Sequence, residues 1–145
     1  MKAADARAAV EMASSKLARE TMDGKVYWMP EDLPVAADVP IAVYLLPGFD
    51  EYLIGYKDRS ASLDPRHAGR IVPGNNGLLL PTVVRSGCVV GTWKRAFEKN
   101  AVNVRASFFN SPKKGEAGAV AEAAERYGRF LGMAVGSCRS KVDRN

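Results

Sequence analysis

The chain has 145 residues, of which 47% are hydrophobic and 26% charged, and its net charge is +5. This is the composition of a soluble globular protein of one domain, or one domain with part of another. No apolar run approaches the roughly 20 residues that span a bilayer, and the N-terminus MKAADARAAVEMASSKLARE lacks the apolar centre of a secretion signal. No membrane partner is therefore expected, and the cytoplasm is the default location. Two distant cysteines, Cys88 and Cys138, and the single His67 predict neither a disulfide nor a metal site.

The charge is unevenly spread. Residues 1 to 56 carry −4, residues 57 to 114 carry +8, and the remainder carries +1. A basic centre of this kind can attract nucleic acid through its phosphates, or can simply solubilise the outer faces of strands.

In chain order, Asp5 to Leu17 has the i, i+3, i+4 spacing of a helix, through Ala6, Ala9, Val10, Ala13 and Leu17. LARETM and KVYWMP flank Asp23-Gly24, a strong hairpin signal because both turn positions need positive φ. PEDLPVAADVP, from Pro30 to Pro40, reads as a linker. Ile41 to Leu46 is a short strand. Asp50 then caps a short helix through Tyr56, and Asp64-Pro65 starts a helical turn through Ile71. Pro73 to Gly77 is a sharp loop.

Three strands follow: Leu78 to Arg85, Cys88 to Phe97, and Ala101 to Phe109, joined at Ser86-Gly87 and Glu98-Lys99-Asn100. In the last, Val102, Val104 and Ala106 share one face while Asn103, Arg105 and Ser107 share the other. Glu116 to Leu131 has the apolar stripe Val120, Ala124, Tyr127 and Leu131, and Gly132 stops it. The segment beyond Val135 reads as a frayed tail.

Few residues suggest chemistry. The chain lacks a phosphate-binding glycine loop, a G-x-S-x-G elbow and H-E-x-x-H, so no cofactor is expected. His67 sits beside Arg66 and Arg70 and reads first as a solvent-facing helix residue. Asp50 and Glu51 could divide acid and base roles, yet Asp50 has a complete explanation as a cap. TWKRAF is more suggestive, because Trp93 and Arg95 share a face that could stack a base and hold a phosphate. The alternative puts Trp93 in the core, with Arg95 at its rim. The candidate nucleic-acid-binding set is Lys57, Arg59, Arg66, Arg70, Arg85, Trp93, Lys94 and Arg95.

The phrases ADARAAVEMA, DGKVYWMP, LLPGFDEYLIGYKDRS, LDPRHAGRIVPGNNG, PTVV with GCVVGTWKR, and AERYGRFLG run from Ala4 to Gly132. In that order they resemble the C-terminal region of the bacterial winged-helix DNA-binding proteins that include the alkylpurine and interstrand-crosslink DNA glycosylases. DEYL-GYKDRS and VVGTWKR are the specific part. The resemblance implies the last helix and wing of a winged helix followed by a β-barrel-like domain. It also implies DNA as the partner, with upstream winged-helix units or a second copy as possible companions. The family's catalytic motif contains glutamine near the start of a longer protein, and this chain contains no glutamine.

The expected fold is therefore α+β. Residues 1–30 form a partial winged helix and 31–40 a linker. Residues 41–133 form a small antiparallel barrel-like sheet closed by a C-terminal helix, and 134–145 are a flexible tail. The expected function is sequence-tolerant contact with the DNA backbone, without the family's catalytic motif. The alternatives are a structural or dimerising domain, and a small enzyme using Asp50 or Glu51 with His67.

Overall fold

A computed structural model of the protein describes residues 2–33, 41–75 and 77–143. Contacts divide the chain into two units, Met1–Val39 and Pro40–Asn145. Most of the expected linker, and the last two residues of the expected tail, lie outside the described residues.

In the first unit, helix α1 spans Ala3–Ala13. It is shorter than its periodicity suggests, because Ser14 Oγ donates 2.7 Å to the Glu11 carbonyl and the backbone tightens into a 3-10 turn over Ser14–Lys16. Ser, with its competing backbone bond, commonly ends a helix this way. Strands β1 (Leu17–Met22) and β2 (Lys25–Pro30) then pair antiparallel. Asp23 and Gly24 form the turn at φ of 50° and 73°, the positive values a two-residue hairpin requires. None of the described residues of this unit is buried.

The second unit is built on a five-stranded sheet of order β3-β4-β5-β6-β7. Its strands are β3 (Val43–Leu46), β4 (Thr82–Arg85), β5 (Cys88–Glu98), β6 (Ala101–Phe108) and β7 (Ala134–Val142). Strand β4 begins only at Thr82, since Pro81 has no N–H for a ladder. Instead its carbonyl accepts from Trp93 N at 3.1 Å. Between β3 and β4 run the short helices α2 (Glu51–Ile54) and α3 (Ala68–Ile71), the latter preceded by a 3-10 turn over Pro65–His67. Helix α4 (Glu116–Leu131) connects β6 to β7.

Two expectations are corrected here. The sheet is open, with β3 and β7 as its free edges, and does not close into a barrel. The segment expected to fray is strand β7, laid parallel to β6. A parallel neighbour needs a crossover, and α4 supplies it. Gly132 ends α4 at φ 66°, and the Met133 amide bonds the Gly128 carbonyl at 3.0 Å, turning the chain back. Gly128 is required for this return, since a Cβ there would lie 2.8 Å from Val135.

The two faces of the sheet are covered differently. Against one face, α4 places Val120, Ala123 and Ala124 onto Val43, Val83, Trp93, Val104, Ala106 and Phe108. Each valine or phenylalanine among them contributes about 1.5–3 kcal/mol when fully buried. On the other face, Leu53, Leu63, Ile71 and Leu79 from the α2–α3 segment pack with Val84, Val89 and Phe109. A register shift helps divide the sheet between these partners: Val83 pairs Gly91 while Val84 pairs Val89, leaving Val90 without a partner in β4. Gly91 lets β5 and β6 close up, because a Cβ there would lie 2.4 Å from the Ser107 carbonyl. The α2–α3 segment stops short of the far half of its face, formed by the ends of β5, β6 and β7.

Candidate nucleic-acid interface

That bare half-face is ordered in transverse rows. Lys94 of β5 pairs Arg105 of β6, and Arg105 pairs Arg139 of β7. The row on one side is Thr92, Ser107 and Lys141, and on the other Ala96, Asn103 and Ser137. Adjacent strands lie about 4.8 Å apart, so three cations stand within about 10 Å. Lys94, Arg105 and Arg139 are exposed, and none of them makes an ion pair among the described residues. Like charges directly opposite on a sheet are unfavourable, so the row does not serve the fold.

Beside the cations the surface dips into a groove of about 450 Å³, lined by Arg95, Ala96, Glu98, Asn103, Val104 and Ser137 together with the row itself. Asn103 is fixed in it, donating 2.6 Å to Glu98 Oε1 and accepting 2.8 Å from Ser137 Oγ. Hydroxyls and amides flanking a cation row are the groups that hold phosphodiester oxygens.

Of the residues singled out from the sequence, only Lys94 belongs to this row. Trp93 is 3% exposed, its indole N–H donating 2.8 Å to the Leu46 carbonyl and its ring edge-on to Tyr127. It offers no exposed plane for a base, because the face it shares with Arg95 is the one α4 covers. Arg95 caps that side, donating 2.8 Å to Tyr127 Oη. Lys57 is exposed after α2.

The other arginines are engaged within the fold. Arg59 donates to the Leu53 carbonyl, and Arg85 pairs with Glu116, which is 2% exposed and also accepts 2.8 Å from the Lys113 amide. Arg66 pairs with Asp64 at 2.6 Å on the surface. Its side chain, and next its backbone amide, hold the Asp64 carboxyl down to about 2. Arg70 is bound at the end of β7. Five arginines of the basic centre read from the sequence, Arg59, Arg66, Arg70, Arg85 and Arg95, are thus engaged by other groups of the fold, whereas Arg105, like Arg139 of β7, makes no ion pair among the described residues. Arg105 was visible in the alternation of β6; Arg139 required β7 to be recognised as a strand.

The acid–base alternative loses its geometry. Asp50 accepts 2.9 Å from the Tyr52 amide as the α2 cap. His67 is half-buried, its ring 4.5 Å from that of Phe109, rather than facing solvent. The 190 Å³ cleft that His67 lines with Asp64, Arg85, Lys113 and Glu116 includes neither Asp50 nor Glu51. Among the described residues no cluster of three or more metal-ligating side chains occurs, and no helix is long and apolar enough to cross a membrane.

These features define an α+β protein whose sheet keeps one half-face bare and basic. The family described as "DNA glycosylase AlkZ-like" matches residues 1–130, and the chain belongs to this AlkZ-like DNA glycosylase family. Among solved structures it is similar to the Streptomyces sahachiroi DNA glycosylase AlkZ, with a TM-score of 0.68 and 24% identity. That likeness, which is one of fold, covers 99% of this chain and 38% of the Streptomyces chain. Comparison with curated proteins returns no match.

Proposed function

We propose that this chain is a DNA-contacting part of an AlkZ-like repair protein, gripping the phosphate backbone without reading sequence. The observation that carries the reading is the row Lys94, Arg105 and Arg139, with no acidic partner among the described residues. Phosphate contacts position a protein on DNA and carry no sequence information. The half-face offers no aromatic side chain for stacking, so the grip is on the backbone and suits a duplex, whose phosphates are already ordered. Base excision is not assigned to this chain, which contains no glutamine. The proposed setting is the cytoplasm.

Fluorescence anisotropy with a labelled duplex of arbitrary sequence tests the reading. Binding with a dissociation constant around 10⁻⁴–10⁻⁶ M at physiological salt, as for other non-specific contacts, is expected, and unrelated sequences should bind equally well. No binding at low salt would contradict it.

The first unit favours a companion. Its α1 and hairpin are read as the last helix and wing of a winged helix, and with no buried residue among those described they lack a core of their own. A two-stranded hairpin is marginal alone, so the proposed cover is further winged-helix units or a second copy. Light scattering of the purified chain distinguishes a dimer from a monomer.

A further inference from the structure

Strand β7 carries Arg139 and Lys141 yet is an edge strand, paired on one side only. Its start is held where Met133 bonds Gly128 and its middle where Ser137 bonds Asn103. Both cations lie beyond that middle point.

Beyond that point the ladder to β6 continues as far as the Phe108–Val142 pair, and its end is clamped by Arg70. Its Nη2 donates 3.0 Å to the Asp143 carbonyl and lies 2.9 Å from Asp143 Oδ2, while Nη1 reaches the Phe109 carbonyl at 3.4 Å. The guanidinium also stacks 4.6 Å from the Phe109 ring centroid, and the side chain is 18% exposed. The Asp143 amide adds a bond of 2.8 Å to the Phe108 carbonyl. One planar fork thereby ties α3, the end of β6 and the end of β7 together, a task a lysine's single ammonium cannot reproduce.

We infer that Arg70 is a positioning residue for the phosphate-binding face: it fastens the end of β7 so that Arg139 and Lys141 stay in register with Arg105 and Ser107. This rests on the backbone-gripping reading above. Arg70 itself meets no phosphate, because its charge is spent on Asp143 and Phe109.

The sign of one effect separates this role from simple charge. Asp143→Ala removes a negative charge near a basic face. Through electrostatics alone that should tighten DNA binding, whereas loss of the fastening should weaken it. Two variants, Asp143→Ala and Arg70→Lys, are compared with the intact chain by amide hydrogen exchange over residues 138–143 and by anisotropy with a duplex. In both variants these amides should exchange about tenfold faster, the effect of losing a charge-assisted bond on local opening, while residues 120–128 of α4 remain protected. Both should also bind duplex several-fold more weakly. Unchanged exchange in either variant, or tighter binding by Asp143→Ala, overturns the positioning role. If the intact chain binds no duplex, the phosphate reading itself fails and the binding role falls with it, while the exchange result still reports whether Arg70 fastens β7.

Discussion

Lys94 and Arg105 stand directly opposite one another on β5 and β6, two like charges at the separation where a sheet normally places a complementary pair. Arg139 extends the same row on β7. Among the described residues no carboxylate forms an ion pair with the row, and like charges directly opposite on a sheet are unfavourable. Under the proposed function a DNA phosphate offsets that repulsion.

Stability and binding should therefore move in opposite directions at Arg105. Arg105→Ala relieves repulsion worth a few tenths of a kcal/mol up to about 1 kcal/mol, so urea unfolding should show unchanged or slightly higher stability. Duplex affinity should fall roughly tenfold, as for the loss of one charge-assisted phosphate contact. A fall in both would make Arg105 a structural residue.

Arg85 and Glu116 should behave in the reverse way. Glu116 is 2% exposed and answers both the Arg85 guanidinium and the Lys113 amide. Glu116→Ala leaves a shielded cation and an amide unanswered, at a cost of about 3 kcal/mol. Chemical denaturation measures this directly. Duplex binding by the fraction that remains folded should be unchanged.

Much of the local structure was legible in the sequence, for identifiable reasons. Asp23-Gly24, the capping acids Asp50 and Asp64, and Gly132 act through backbone geometry within a few residues, so their effects are visible without tertiary context. Strand β7 was not legible. Val102 pairs Val135 but Asn103 pairs Ser137, so Gly136 is skipped and the alternation of AVGSCRSKV is broken. The arginines were opaque for a similar reason. Whether Arg70, Arg85 or Arg105 faces solvent depends on acceptors as much as 73 residues away in the chain. Trp93 and Lys94 are adjacent, and strand pleat alone decides that one is core and the other is site.

Asp50 should prove to be a cap and nothing more. Asp50→Ala removes the bond to the Tyr52 amide and should lower stability by about 1 kcal/mol. Thermal unfolding checks this, and duplex affinity should stay as it was. A variant of full stability that loses DNA binding would assign Asp50 a functional role instead.

Asp64 gives a pH signature. Its carboxyl is held at about 2 against an ordinary 3.8, first by the hydrogen bond from the Arg66 side chain and next by the Arg66 amide. Since the folded value lies below the unfolded one, the associated stability is fully present above about pH 4 and is lost as pH falls toward 2. Carbon-detected NMR titration should place the Asp64 midpoint near the bottom of that window. Arg66→Ala should move it upward, leaving the amide bond and the weaker influence of His67 to hold it down. An unmoved midpoint would show that the side chain is not the principal cause.

The central claim is that DNA is held by the cation row, and salt dependence tests it most directly. Each phosphate neutralised steepens the decline of log affinity with log salt by about 0.9. Replacing Lys94, Arg105 and Arg139 together with alanine should flatten the slope by about 2.7, that is, three contacts at this value. Arg66→Ala, whose guanidinium is already paired with Asp64, should leave it unchanged. Duplex binding that is insensitive to salt, or a triple variant with the slope of the intact chain, would contradict the account.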